Sequence, residues 1–107
     1  VVNLNFGSAA TMNGSFSAKR PNVYNNTVMH FAGPVGPLGN LSVFNNATAD
    51  FSPASGGPAT LNLSGLTLSS GGTLTGSDSF VDSGAFTWSG GTLSTPGLTV
   101  QGNATIN

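Results

Sequence analysis

Six side chains carry all the charge that this chain can hold near neutral pH: Lys19, Arg20, His30, Asp50, Asp78 and Asp82. Asp78 and Asp82 are the only acids close together in sequence. A glycosidase needs two carboxyl groups flanking the scissile bond, and a calcium site needs several oxygen ligands. Asp78 and Asp82 instead bracket Phe80, which reads as buried, and sit around a turn. They read as turn aspartates. His30 stands beside Phe31, and the chain has no second His and no Cys with which to complete a metal site. No Ser-His-Asp order suggests a triad, and no glycine-rich phosphate loop is present. The expectation is a non-enzyme with no catalytic residue, no metal and no cofactor.

What remains is surface chemistry. Tyr24 and Phe44 each follow an apolar Val in equivalent settings, so both should point outward, one above the other. Such a pair suits corner packing, a subunit contact or a sugar platform. Thr73/Thr75 over Thr92/Ser94 could order water as ice-binding surfaces do, but a strict count places Ala54 and Gly56 one step earlier, which interrupts the array. Six Asn-x-Ser/Thr sites, at Asn13, Asn25, Asn40, Asn46, Asn62 and Asn103, are candidate N-glycosylation acceptors. Asn and Thr also suit turns and strands, which is the plainer reason for them.

The elements that must position these residues are visible as a short repeat. Val43-Phe44-Asn45-Asn46-Ala47-Thr48-Ala49 returns three steps later as Val100-Gln101-Gly102-Asn103-Ala104-Thr105-Ile106, and Val23-Tyr24-Asn25-Asn26-Thr27-Val28 is a shortened copy. Ser70-Gly71-Gly72-Thr73-Leu74 recurs one step on as Ser89-Gly90-Gly91-Thr92-Leu93. Weaker anchors at Phe6, Leu63 and Val81 complete the series. A unit this short cannot bury its own apolar face, so copies must stack. Helix signals are nearly absent. Alternating pairs such as Leu4/Phe6, Leu41/Val43, Leu66/Leu68, Phe86/Trp88 and Ala104/Ile106 mark short strands, separated by Gly, Asn or Pro corners. The spacing predicts one domain over 1–107, a parallel β-solenoid of about six coils with a roughly 19-residue repeat. The alternative is a β-sandwich, which also has many short strands but does not require side chains to recur at a fixed step. Leu74 should stack on Leu93, Val81 on Val100 and Ala85 on Ala104. Asn26, Asn46 and Asn103 should share a column that Gly84 also fits. The Pro/Gly-rich stretch 29–40 reads as a projecting loop, and 50–60 as a smaller excursion.

Composition bounds the rest. Charged residues are 5% of the chain, against roughly 25% in average soluble domains. The net charge of −1 offers no electrostatic footprint for nucleic acid. No apolar run approaches the roughly 20 residues that cross a bilayer, so no membrane insertion is expected. Cysteine is absent, so stacking would have to replace the disulfides usual in small secreted domains. The absence of an initiating Met and of a visible signal peptide fits a processed chain or an excerpt from a longer one.

Phe86-Thr87-Trp88-Ser89-Gly90-Gly91-Thr92-Leu93-Ser94-Thr95-Pro96-Gly97-Leu98-Thr99-Val100 resembles the F-x-W-[ST]-G-G-T-[LM]-[ST]-x-x-G repeats of large secreted, adhesin-like parallel β-helix proteins. The match is strong over that stretch and loose over residues 66–107. The resemblance implies an extracellular or cell-surface role without catalysis. Both ends of the sequence run in strand alternation, which makes Val2, Leu4, Phe6, Val100, Ala104 and Ile106 candidates for self-association. The expected protein is a structural subunit of a filament or matrix, or a segment of a solenoid adhesin. Its expected partners are copies of itself, with glycans as a second class. The alternative is a carbohydrate- or ice-binding solenoid module.

Overall fold

The computed structural model describes residues 2–53 and 57–106. Among these residues there is no helix, and every strand pairing is parallel. The chain winds as a three-sided β-solenoid. The first coil comprises β1 (Val2–Leu4), β2 (Ala9–Met12) and β3 (Phe16–Ala18). The second comprises β4 (Pro21–Val23), β5 (Val28–Phe31) and β6 (Val35–Leu38), and the third β7 (Asn40–Val43), β8 (Thr48–Phe51) and β9 (Thr60–Leu63). The fourth has β10 (Gly65–Ser69), β11 (Thr73–Gly76) and β12 (Ser79–Asp82). The fifth has β13 (Phe86–Ser89), β14 (Thr92–Ser94) and β15 (Leu98–Val100), and β16 (Ala104–Ile106) opens a sixth turn. There are thus five turns and one strand, close to the six coils expected.

The first face is the six-stranded sheet β1-β4-β7-β10-β13-β16, and the second is β2-β5-β8-β11-β14. The third is divided into β3-β6 and β9-β12-β15. Register on the first face pairs Asn3 with Asn22, Asn22 with Ser42, Ser42 with Thr67, Thr67 with Thr87 and Thr87 with Thr105. Four of these steps stay close to the expected repeat, while the third coil, from Ser42 to Thr67, is clearly longer. Its extra length falls in residues 52–59, between β8 and β9. Part of the expected excursion at 50–60, residues 54–56, lies outside the described residues.

Three other expectations change. Residues 29–40 do not project as a loop. They form β5, β6 and the start of β7 within the ladders, with Met29 on Ala10 and Ala49. Pro37 is accommodated because a register shift lies between Phe16/Val35 and Ala18/Leu38, where the ladder does not ask every residue for a donor, and Pro34 precedes β6, where its carbonyl accepts the Phe16 N–H. Leu74 does pair with Leu93, but Val81 pairs with Thr99, and Val100 lies over Asp82. Phe86, not Ala85, pairs with Ala104. The last steps, Val81 to Thr99 and Thr87 to Thr105, are each one residue shorter than the step from Leu74 to Leu93, so a strict count slips by one.

The longer third coil also divides the anchors between faces. Val23 and Val43 end strands of the first face, whereas Leu63, Asp82 and Val100 end strands of the third. The sequence match of Val43–Ala49 with Val100–Ile106 therefore joins two different corners. A short apolar strand end followed by a tight turn is what each corner demands, so similar sequences serve both.

Inward side chains stack into columns. Leu4, Val23, Val43, Leu68, Trp88 and Ile106 line up on the first face, and Ala10, Met29, Ala49, Leu74 and Leu93 on the second. Four phenylalanines run up the core beside them. Phe16 lies 5.0 Å from Phe31, Phe31 stacks on Phe51 at 4.4 Å, and Phe51 meets Phe80 edge-on at 5.3 Å. Burial of these columns drives the fold, and each coil contributes mainly to its neighbours.

Two corners show why particular residues stand there. Between the first and second faces the chain turns through consecutive left-handed residues, Asn25/Asn26, Asn45/Asn46 and Ser70/Gly71, with φ between 49° and 78°. Asn and Gly tolerate that region best. Asn45 Nδ2 donates to Asn25 Oδ1 at 3.2 Å, linking successive corners. Asn103 is not in this column. It sits at the corner between the third and first faces, where its carbonyl accepts the Phe86 N–H. At that corner Gly84 and Gly102 lie in successive layers, and a Cβ on Gly84 would strike the Ser64 carbonyl.

Candidate functional surfaces

Of the six charged side chains the structure pairs only His30 with Asp50, and hydrogen bonds within the fold use all three acids. His30 and Asp50 face outward on adjacent strands β5 and β8, and Nδ1 of His30 lies 2.8 Å from Oδ2 of Asp50. Ser52 Oγ donates to the other Asp50 oxygen at 2.7 Å. The serine thus touches the acid and not the histidine, so this is no nucleophile–base pair. Sequence reading did not connect His30 with Asp50, although their separation is one coil. Asp78 is buried, and its Oδ1 accepts the Ala59 N–H at 2.7 Å. Asp82 is fully buried, and its Oδ1 accepts the Gly84 N–H at 3.0 Å. Asp82 braces the turn that follows β12, whereas Asp78 ties its coil to the preceding one, and the segment between the two acids is strand β12 and not the expected turn. Among the described residues no group of three His, Cys, Asp or Glu side chains could hold a metal ion.

Tyr24 and Phe44 form a parallel stack with centroids 5.0 Å apart and planes within 2°. They stand at the corner between the first and second faces, half-buried. Each ring turns one face to the other, so the pair presents edges outward. That geometry is a ladder that ties the second coil to the third, and it leaves little flat aromatic surface for a sugar ring.

Hydroxyl groups dominate the outer faces. On the second face one outward column runs Ala9, Val28, Thr48, Thr73, Thr92, and the next runs Thr11, His30, Asp50, Thr75, Ser94. The neighbours of Thr73 and Thr75 in the preceding coil are therefore Thr48 and Asp50, not Ala54 and Gly56. The long third coil hid this from a strict count. On the first face Ser42, Thr67, Thr87 and Thr105 continue the column begun by Asn3 and Asn22. Neighbouring strands set hydroxyls about 4.8 Å apart, and alternate residues along a strand set them about 6.6 Å apart.

The six sequon asparagines, Asn13, Asn25, Asn40, Asn46, Asn62 and Asn103, are all exposed. Asn25 and Asn46 belong to the left-handed corner, and Asn40 packs its side-chain oxygen against Gly65. Among the self-association candidates, Leu4 is buried, Val2 and Val100 are half-buried, and Ala104 is exposed. Among the described residues Phe6 and Ile106 are the exposed large apolar side chains, at 53% and 67%. A groove of about 490 Å³, lined in part by Asn13, Pro34, Val35, Pro53, Leu61 and Asp78, lies beside the 52–59 connection. Its one acid is the Asp78 already bonded to Ala59.

No protein-family model matches the sequence, and comparisons with curated proteins and with solved structures find no significant match.

Proposed function

We propose that this protein is a non-catalytic structural solenoid of the cell surface or extracellular matrix, which extends by adding further coils to its open strand edges. The carrying observation is the stack itself. β1 and β16 each have one strand neighbour among the described residues, and the apolar columns reach both end layers with Phe6 and Ile106 exposed. Each uncovered edge is a row of backbone donors and acceptors, with apolar side chains beside it, that another coil satisfies. The covering coil belongs to a second copy in a filament or matrix, or to the same polypeptide in a solenoid adhesin. The outward surface supports this reading, because scarce charge gives little repulsion between copies. The resemblance of residues 86–100 to secreted repeats and the exposed sequons support an extracellular setting. Light scattering over a concentration series is the test. Association should rise with concentration, and Ile106→Lys should suppress it by placing an unpaired charge in the joint. A chain that stays monomeric at every concentration would refute assembly between copies.

A second reading is favoured by one specific observation, the hydroxyl lattice of Thr48, Thr73, Thr92, Thr75 and Ser94. Threonine on a strand has few rotamers, so the lattice holds its spacing. A hydroxyl array of this kind suits an ice surface better than a flexible ligand, with Asp50 and His30 bounding it where the second column continues into the earlier coils.

A further inference from the structure

Asp82 occupies a position that the fold reserves for apolar side chains. In the register of the third face it lies between Leu63 of β9 and Val100 of β15. It has no solvent exposure. The bond from the Gly84 N–H accounts for Oδ1, and its backbone carbonyl accepts the Gln101 N–H at 2.8 Å. Oδ2 is buried without any hydrogen-bond partner. A turn-bracing aspartate needs only one oxygen, so the second is an uncompensated cost to the fold. That cost is far larger for a carboxylate than for a neutral carboxylic acid.

No counter-charge offsets it. β9, β15 and the adjoining strands β10 and β13 carry no Lys, Arg, His, Asp or Glu. On β12 itself the other side chains are Ser79, Phe80 and Val81, and Asp78 just beyond its start holds the Ala59 N–H. His30 and Asp50 face each other on the outside of the second face, and Lys19 and Arg20 lie at an exposed corner of the first coil.

We propose that Asp82 makes the joint between the fourth and fifth coils a pH-sensitive latch, tight when the carboxyl is protonated and loosened when it is ionised. The direction follows from linkage. Burial pushes the Asp82 carboxyl above its ordinary value of 3.8, and the Gly84 N–H opposes this more weakly. The folded chain then holds a proton that the unfolded chain releases. The stabilisation is fully present below the ordinary value and is lost as pH rises through the raised one. Loosening falls on β15 and β12, whose backbones meet at Asp82. It therefore regulates the coil that presents the edge for further stacking, a consequence that depends on the structural reading above, whereas the latch itself does not.

The test is a ¹³C titration of the Asp82 side-chain carboxyl in the full chain, with hydrogen exchange of the β12 and β15 amides across the same pH range. The carboxyl should titrate above 3.8. After correction for intrinsic exchange, amide protection should rise on acidification, by about tenfold for each unit that the midpoint is raised. Asp82→Asn should remove the pH dependence of β15 protection while keeping the Gly84 bond. A carboxyl that titrates at or below 3.8, or the same pH dependence in Asp82→Asn, would overturn the latch. If Asp82→Asn does not fold, the wild-type titration and exchange decide alone. Neither readout depends on association, so the latch can fail while coil stacking stands, and the reverse.

Discussion

Phe51→Ala removes the central rung of the core ladder. Phe51 is fully buried in the third coil, stacked on Phe31 at 4.4 Å with planes 6° apart, and set edge-on to Phe80 at 5.3 Å and 82°. Truncating a buried Phe to Ala costs about 3–5 kcal/mol through lost transfer energy and the cavity left behind. The hydrogen-bonded coils above and below cannot close that cavity without breaking register. Domains of this size have about 5–15 kcal/mol of total stability, so the variant stands near its unfolding threshold. The loss should also be unevenly felt. In a solenoid each coil is held by its neighbours, so weakening the third coil uncouples the first two from the last two. Tyr24, in the second coil, and Trp88, in the fifth, are the only tyrosine and tryptophan and report the two halves separately. Urea unfolding followed by both signals should coincide in the wild type and separate in Phe51→Ala. Tyr24→Ala is the comparison, because it deletes another parallel stack, 5.0 Å and 2°, at a half-exposed corner. There the stacking contributes about 0.5–1.5 kcal/mol. A Phe51→Ala loss no larger than that of Tyr24→Ala would refute the claim that the phenylalanine ladder, rather than the backbone ladders, holds successive coils together.

Gly84→Ala should destabilise by about 1–3 kcal/mol, because its Cβ meets the Ser64 carbonyl of the preceding coil. Gly14→Ala meets nothing and should be neutral or stabilise by about 0.4–1 kcal/mol, and thermal melts compare the two. If the hydroxyl lattice binds ice, the wild type should shape ice crystals and Thr73→Lys should abolish the effect, while Ser79→Lys on the third face leaves it intact. Binding to an insoluble polysaccharide without any effect on ice would assign the lattice to a sugar instead.

The sequence by itself determined the class of fold and the shape of its repeat. Short apolar alternation, punctuated by Gly and Asn at a near-constant step, leaves stacked coils as the way to bury Leu, Val and Phe, and the Leu74–Leu93 pair follows from it. It also determined how little chemistry was available, since six charged side chains can be read off the chain. Tertiary structure decided the register. The extra length of the third coil falls between β8 and β9, within the 50–60 stretch that the sequence marked as an excursion, but the same Pro/Gly signal also marked 29–40, which stays within the ladders. That one insertion put Thr48 and Asp50 beside Thr73 and Thr75. The shorter connection from β14 to β15 set Val100, rather than Gln101, over Asp82. Periodicity records which side chains face inward, because that depends on the neighbouring residues alone. Which side chain lies above which depends on the length of every intervening corner, and a slip of one residue exchanges an inward neighbour for an outward one. The His30–Asp50 pair and the orphaned oxygen of Asp82 are products of that register, so they became visible only when the coils were stacked.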